Sequence, residues 1–268
     1  KLPCSPKMLV RDLGLKDYDE VWDLQRQLVS ARAARTIPDT VLLCQHHPVY
    51  TIGRGSRQPV PAGLPYPVYK IERGGDLTWH GPGQLVGYPI FDLPAQGLKA
   101  RSYLTALEAV LREAVLPFGV PAAMVKGFTG LWVGKKKLDS IGVAVRGGIT
   151  YHGFALNMNN DLSPFQLIHP CRLESGVMTS MAKILGGAVD EAAVSAAVGQ
   201  TLIDYFAPRR VTALILAAMA LVLPAPARAA FEAPGFELAY SFPVGTNLDE
   251  PDVRRAQELW PEMFDAAK

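Results

Sequence analysis

A cysteine and a lysine are the side chains in this sequence best suited to covalent and proton-transfer chemistry. Cys171 follows Ile168-His169-Pro170 in a segment that reads as a loop, where its sulfur would be accessible. A thiolate attacks thioesters and amides far better than a hydroxyl does, provided that a nearby cation lowers its pKa. We therefore take Cys171 as the candidate nucleophile, although a single cysteine taken alone is more often structural.

Lys137 is the candidate cation and proton carrier. It ends the run Lys135-Lys136-Lys137, a pattern that is ordinarily a solvated charge run. Lys137 differs from its neighbours because it begins a predicted strand. A lysine held in a partly dry site can act as a general base, or stay charged and stabilise a thiolate.

A glycine-rich stretch, RGGDLTWHGPGQ at residues 73–84, is the third chemical signal. Its glycines allow a backbone to approach a ligand closely and leave amide N–H groups available to donate. The order differs from the G-x-x-x-x-G-K-[ST] phosphate loop. The alternative is a tight turn with no ligand.

The sequence predicts no metal site and no cofactor. The three cysteines, Cys4, Cys44 and Cys171, form no CxxC pair or disulfide framework. Cys44 lies in an apolar strand and is expected to be buried. His46 and His47 are adjacent on a strand, so their side chains point to opposite faces and cannot readily converge with Cys44 on one ion.

Composition narrows the class of protein. The formal charge is +2, from 27 basic and 25 acidic residues, which argues against a nucleic-acid binder. Hydrophobic residues make up 49 %, enough for a packed core. No apolar run reaches the roughly 20 residues that a membrane-spanning helix needs. A reducing, cytoplasmic location is therefore the default expectation, without stable membrane association.

The elements that must position these side chains are strands interspersed with a few helices. This order predicts an α+β (two-layer) fold with a mixed, largely antiparallel sheet packed with helices. Helices are predicted at residues 18–35, 103–115 and 189–206. Extended segments are predicted at residues 7–12, 40–43, 67–72, 85–93, 137–146 and 149–157, and residues 74–83 are predicted to be a connection.

The last two strands form a predicted hairpin around Gly147-Gly148. A two-residue turn pairs Arg146 with Ile149 and sets Gly142 opposite Gly153. One face then carries little side-chain volume; we call it the small-residue face: Ser140, Gly142, Ala144, Gly153 and Ala155. The opposite face must be core, with His152 among its members: Ile141, Val143, Val145, Phe154 and Leu156. The small-residue face predicts either close packing of a second backbone or a slot for a narrow apolar chain.

The tail differs from the rest of the chain. Residues 209–229 have the order of a secretory signal peptide: Arg209-Arg210, a 13-residue apolar run, and Ala227-Arg228-Ala229. We predict a catalytic domain at residues 1–207 and an atypical tail at residues 208–268. The tail is either one more buried helix or a segment joined to a complete domain, and the second interpretation is favoured.

Three stretches together resemble the octanoyltransferases of lipoate biosynthesis, which share a fold with lipoate- and biotin-protein ligases. They are HHPVYTIGR at residues 46–54, RGGDLTWHGPGQLVGYPIFDL at 73–93 and KLDSIGVAVRGGITYHGFALNMNNDLSPFQLIHPC at 137–171. The resemblance covers about residues 9–206. It departs from the family at Arg172, where a glycine usually follows the cysteine, and in the tail.

The resemblance implies transfer of an octanoyl group from octanoyl-acyl carrier protein to a lysine of apo-lipoyl domains, in 2-oxoacid dehydrogenases and the glycine cleavage H protein. It implies a thioester on Cys171, Lys137 as acid/base, no ATP and a monomer. Pocket residues follow from the matching motifs: Arg73, Gly74, Gly75, His80, Gly81, Ser140, Ile141, Gly142, His152, Gly153, Phe154 and Ala155. The rivals are an ATP-dependent ligase on the same fold, a cysteine hydrolase, and a silent module that binds carrier or lipoyl domains.

Overall fold

The computed structural model describes residues 8–56, 59–168 and 176–207. Cys171, Arg172 and the tail at residues 208–268 lie outside the described residues. The strands are β1 (Leu9–Lys16), β2 (Thr40–His46), β3 (Val49–Ile52), β4 (Val68–Lys70), β5 (Leu77–His80), β6 (Gln84–Ile90), β7 (Ala123–Val125), β8 (Phe128–Val133), β9 (Lys136–Lys137), β10 (Asp139–Arg146) and β11 (Ile149–Asn157). The α-helices are α1 (Tyr18–Ala33), α2 (Ala100–Val115), α3 (Met181–Leu185) and α4 (Glu191–Phe206).

A five-stranded sheet in the order β1-β2-β6-β11-β10 forms the centre of the fold. Only the β1–β2 pair of this sheet is parallel, and the other three pairs are antiparallel. Two three-stranded sheets, β4-β3-β5 and β7-β8-β9, flank it. The predicted α+β class with a mixed, largely antiparallel sheet is therefore confirmed.

Helices cover both faces of the central sheet. On one face, α2 and α4 pack with strand residues such as Leu43 and Phe154 into the largest apolar cluster. The α2 helix fits there because Leu107, Leu111 and their neighbours at helical spacing are all buried. On the other face, α1 packs through Val21 against β2 and β6. No helix in the described part of the chain is long and apolar enough to cross a membrane.

The hairpin has the predicted register. Arg146 pairs with Ile149, and Gly142 pairs with Gly153. The turn residues Gly147 and Gly148 have φ values of 58° and 85°, which glycine adopts without steric cost. Thus the turn chemistry and the alternation of large and small side chains were enough to determine the pairing.

The prediction of a plain connection at residues 74–83 was wrong in part, because β5 lies within it. This short strand pairs antiparallel with β3, from Val49 opposite His80 to Ile52 opposite Leu77. All four of its residues are buried. Its sequence LTWH does alternate apolar and polar residues, but four residues are a short signal, and the glycines on both sides favour a loop.

The placement of His152 on the core face of the hairpin was also wrong. His152 has a left-handed φ of 54°, so the regular alternation of side chains is interrupted at this residue. Its backbone N–H donates to Gln25 Oε1 of α1 at 2.8 Å, and its ring contacts Glu72 beyond β4. The ring therefore faces the α1 side of the sheet, together with the small-residue face.

Candidate active site

A narrow cavity of about 40 Å³ lies on the α1 side of the central sheet. The glycine-rich stretch and β5 form one wall, and β6, β10 and β11 form the other. The residues that line the cavity are Tyr18, Arg73, Gly75, Asp76, Thr78, His80, Val86, Tyr88, Ser140, Ile141, Gly142, His152, Gly153, Phe154 and Ala155. The structure thus brings two motifs together that are separated by more than 50 residues in the sequence.

Ten of the twelve predicted pocket residues line this cavity, and Gly74 and Gly81 do not. The Gly74 N–H donates to the Val143 carbonyl at 2.9 Å and so fastens the loop to the edge of β10. Gly81 lies against the Trp79 ring, where a Cβ would come within 2.2 Å of a ring carbon. These two glycines therefore support the wall through its packing without lining the cavity.

Five lining residues were missed by the sequence reasoning: Tyr18, Asp76, Thr78, Val86 and Tyr88. Asp76 and Thr78 belong to the glycine-rich motif itself, so the motif could have identified them as pocket residues. Tyr18 lies on a helix distant in sequence, and no motif there indicated a place in the pocket. The Thr78 hydroxyl is buried and has no hydrogen-bond partner among the described residues, so it is available to a bound group.

The small-residue face of the hairpin packs against a second backbone, as predicted, and also borders the cavity. A Cβ on Gly142 would lie 2.9 Å from the Gly74 carbonyl oxygen and 2.9 Å from Arg73 Cδ, so a second backbone packs closely there. Gly142 also lines the cavity with Ser140 and Ala155. The absence of bulky side chains therefore admits the loop and leaves a slot beside it.

Arg73 fixes the shape of the loop wall. Its Nη2 donates to the Thr51 carbonyl at 2.7 Å, to Thr51 Oγ1 at 3.0 Å and to the Asp76 carbonyl at 2.7 Å. Its Nη1 donates to the Gly74 carbonyl at 3.0 Å. Charge-assisted bonds of this kind are stronger than those between neutral groups, so one guanidinium holds the loop against β3.

The histidines and tyrosines of the cavity are held neutral. Burial lowers the pKa of His80 to about 3, so its imidazole carries one proton at neutral pH. Burial likewise raises the pKa of Tyr18 and that of Tyr88 above their ordinary value. The Tyr88 hydroxyl donates to His46 Nε2 at 2.7 Å, because His46 Nδ1 is committed to the Lys16 carbonyl. These side chains therefore add no charge to the wall, and the Arg73 guanidinium in the same wall is bonded to backbone carbonyls.

His152 and Glu72 form a hydrogen-bonded pair at the edge of the cavity. His152 Nε2 lies 3.2 Å from Glu72 Oε2, and Trp22 Nε1 donates to the same oxygen at 3.0 Å. Burial lowers the pKa of His152, and the Glu72 carboxylate opposes that effect. Glu72 and Gln25 thus hold His152 directly, and Trp22 fixes the Glu72 carboxylate.

A chain of buried hydrogen bonds leads from the cavity towards Lys137. His80 Nδ1 donates to Gln84 Oε1 at 2.8 Å, since Gln84 Nε2 already donates to Asn157 Oδ1 at 2.9 Å. Asn157 Nδ2 in turn donates to the Thr179 carbonyl at 2.9 Å. The Thr179 N–H donates to the Lys137 carbonyl at 2.8 Å. This network fixes the strand-like segment that follows residues 169–175.

Lys137 is buried, with 3 % of its surface exposed, and does not line the cavity. Its Nζ donates to the Thr129 carbonyl and lies 5.5 Å from the centre of the Trp132 ring. Its backbone N–H donates to the Val177 carbonyl at 2.9 Å. Lys137 is therefore not part of a solvated charge run, unlike the exposed Lys135 and Lys136.

A second, wider cleft of about 600 Å³ lies on the other side of the Glu72–Trp22 contact. Exposed basic side chains line it, from Arg26, Arg54 and Lys70. Arg26 pairs with Asp23 and stacks over Trp22 at 4.4 Å. Neither Arg54 nor Lys70 forms an ion pair with the residues that the structure describes, so this cleft offers positive charge to an anionic partner.

The fold is that of the lipoate-protein ligases. A crystal structure of lipoate-protein ligase A bound with ATP superposes with a TM-score of 0.56 over 75 % of this chain and 85 % of that chain, at 13 % identity. Residues 17–203 match the model of the lipoyl protein ligase A/B catalytic domain. The chain belongs to the lipoyl protein ligase A/B catalytic-domain family.

Within that family the chain is similar to octanoyltransferases. The octanoyltransferase of Geobacter metallireducens is 46 % identical over 179 residues, which cover 67 % of this chain and 84 % of the relative. That of Geobacter sulfurreducens is 47 % identical over 194 residues, which cover 71 % and 81 %. The resemblance inferred from the motifs is therefore confirmed, and the protein is an acyltransferase.

Proposed function

We propose that this protein transfers an octanoyl group from octanoyl-acyl carrier protein to a specific lysine of lipoyl domains, through a thioester on Cys171. This would be the first step of endogenous protein lipoylation. The observation that carries the proposal is the narrow cavity between the glycine-rich wall and the small-residue face. Its histidines and tyrosines are neutral and its Arg73 guanidinium is bonded to backbone carbonyls, which supports binding of an uncharged acyl chain. The similarity to octanoyltransferases supports the choice of acyl group.

In the first half-reaction the Cys171 thiolate attacks the carbonyl carbon of the donor thioester. The bond from that carbon to the carrier sulfur breaks, and the carrier thiolate leaves and takes up a proton. In the second half-reaction the acceptor amine attacks the new thioester, and the Cys171 sulfur leaves. Lys137 would stabilise the thiolate as an ammonium and relay the proton that the amine loses. Thioester exchange is nearly isoenergetic and amide formation is downhill, so the sequence requires no ATP.

Thr78 is suited to a supporting role in substrate binding. Its unpartnered hydroxyl lines the cavity. A hydroxyl there can donate to the carbonyl oxygen of the acyl group, which gains negative charge when the nucleophile attacks. The geometry favours this role for Thr78 over His80 or Tyr88, because their polar atoms already have hydrogen-bond partners within the protein.

The test is intact-protein mass spectrometry after mixing with octanoyl-acyl carrier protein, without ATP. We expect one octanoyl group on Cys171, removed when an apo-lipoyl domain is added. Cys171→Ser should bind the partners and accept no thioester. Lys137→Ala should fold and transfer very slowly, whereas Lys135→Ala, at an exposed neighbour, should transfer normally.

Three other outcomes would contradict the proposal. Transfer that needs octanoate and ATP would indicate a ligase. Release of free octanoate from the protein would indicate a hydrolase. Binding of the carrier or lipoyl domain by a folded protein with no adduct under either condition would indicate a silent module.

We further propose that residues 1–207 form the catalytic domain by themselves. Phe206, near the end of α4, packs on Phe91 at 4.9 Å between ring centres, and its carbonyl accepts from Gln96 at 3.0 Å. A chain that ends at Ala207 keeps these contacts and should melt cooperatively. Loss of the cooperative transition on truncation would mean that the tail belongs to the core.

A further inference from the structure

Asp139 is a buried carboxylate that the proposed mechanism does not use. It has no exposed surface. Its Oδ1 accepts from the Leu131 N–H, while Oδ2 has no hydrogen-bond partner among the described residues. Burial of an incompletely bonded carboxylate is costly, so its presence needs an explanation.

Asp139 lies beside Lys137. Both side chains reach the space next to Gly130, where a Cβ would lie 2.8 Å from Asp139 Oδ1 and 3.2 Å from Lys137 Nζ. Gly130 has a φ of 107°, which glycine adopts readily. The two charged groups thus approach each other across the missing side chain without forming a direct ion pair.

The other charged group that faces Asp139 comes from α2. Glu108 Oε1 accepts from the Gly130 N–H at 2.7 Å, on the same glycine that separates Asp139 from Lys137. Burial raises the pKa of Asp139 to about 7; the Glu108 charge acts in the same direction, and the Lys137 charge opposes it. Asp139, Lys137 and Glu108 therefore form one electrostatic cluster around Gly130.

We propose that Asp139 is a positioning residue for acyl transfer, whose carboxylate holds the charged end of Lys137 in place beside Gly130. The inference rests on the proposed function, in which Lys137 is the cation and proton carrier. An opposite charge at this range attracts the Lys137 side chain and holds it beside Gly130. When Asp139 takes up a proton, this attraction is lost. The transfer rate should therefore rise with pH as Asp139 ionises.

The first experiment measures Lys137 directly and needs no acyl substrate. In protein labelled with ¹³C-lysine, the ε-methylene resonance of Lys137 is assigned by its absence in Lys137→Arg and is followed against pH. In the wild type we expect this resonance to move as Asp139 ionises near pH 7, and in Asp139→Asn we expect that movement to be absent. The same movement in both proteins, or none in the wild type, would overturn the proposal, whether or not the protein transfers octanoyl groups.

The second experiment compares the pH dependence of kcat in three proteins. Asp139→Asn should lose the rise in rate around pH 7, whereas Glu108→Gln should move that rise to lower pH, because a like charge has been removed from beside Asp139. In each variant an amide oxygen takes the place of the carboxylate oxygen and can still accept from the Leu131 or the Gly130 N–H. A purely structural role would lower kcat by the same factor at every pH, and that result would refute the proposal even if one variant folded poorly.

Discussion

Replacement of Asp139 by Asn should change how the stability of the protein depends on pH. Asp139 is fully buried, and burial raises its pKa from 3.8 to about 7. The folded protein therefore keeps this proton over a pH range in which the unfolded chain has released it. Since the folded state binds more protons between these two values, this group lowers the free energy of unfolding as pH rises through that range. Asn has no proton to lose, so Asp139→Asn removes the effect.

The magnitude follows from the two pKa values. One pKa unit corresponds to about 1.4 kcal/mol, so a rise from 3.8 to about 7 gives about 4 kcal/mol. Below about pH 4 both states are protonated at Asp139, and the group adds no pH dependence. Between about pH 4 and pH 7 the stability of Asp139→Asn should gain on that of the wild type by up to about 4 kcal/mol, and the difference should then stay constant.

Urea unfolding, followed by circular dichroism at pH values from 4 to 8, measures this difference. Asp161→Asn is the matched control, because hydrogen bonds from Ser163 lower the pKa of that exposed carboxyl. Asp161→Asn should lower the free energy of unfolding at pH values above the pKa of Asp161 in the unfolded chain, and should leave it unchanged at low pH. This effect has the opposite sign from that of Asp139→Asn. A pH-independent difference between Asp139→Asn and the wild type would refute the reasoning.

Three further predictions concern the cavity and the basic cleft. Gly142→Ala sets a methyl group 2.9 Å from the loop backbone, so it should cost about 1–3 kcal/mol of stability and lower kcat/KM for octanoyl transfer. Gly187→Ala, in open space, should do neither, and equal effects would contradict the close packing. His152→Val should have a free energy of unfolding about 1–3 kcal/mol below that of His152→Gly, and a lower melting temperature. Both variants lose the Glu72 contact, but only valine is strained at a φ of 54°. Arg54→Glu combined with Lys70→Glu should raise KM for the carrier-bound donor at low salt with kcat unchanged; a KM independent of salt and charge would exclude the cleft as a docking site.

Much of the fold was predictable because its signals are local. The helix at Tyr18–Ala33 follows from apolar residues at helical spacing, and the hairpin register follows from Gly147-Gly148 and strict alternation. The small cavity residues on the hairpin were also predictable, because a two-residue turn fixes which of them share a face, whereas Ile141, His152 and Phe154 followed only from the family motifs. Each of these conclusions needs information from fewer than about 20 neighbouring residues.

The errors came from positions where distant contacts overrule the local pattern. β5 is recognisable only when β3 is beside it, because four alternating residues between glycines are too short a signal by themselves. His152 departs from the alternation because Gln25 and Glu72 hold it in a left-handed conformation. No feature of the sequence around Tyr18 indicates that it would reach the cavity.

The sequence by itself determined the family motifs, the α+β class and the hairpin, because residue type and spacing specify turns and alternation. Only the tertiary structure decided that Arg73 fixes the loop through Thr51, that the cavity histidines are neutral, and that Asp139 faces Lys137 across Gly130. The reason is physical: burial and charge at a site depend on side chains brought together from different elements, and desolvation sets protonation only after those elements have packed.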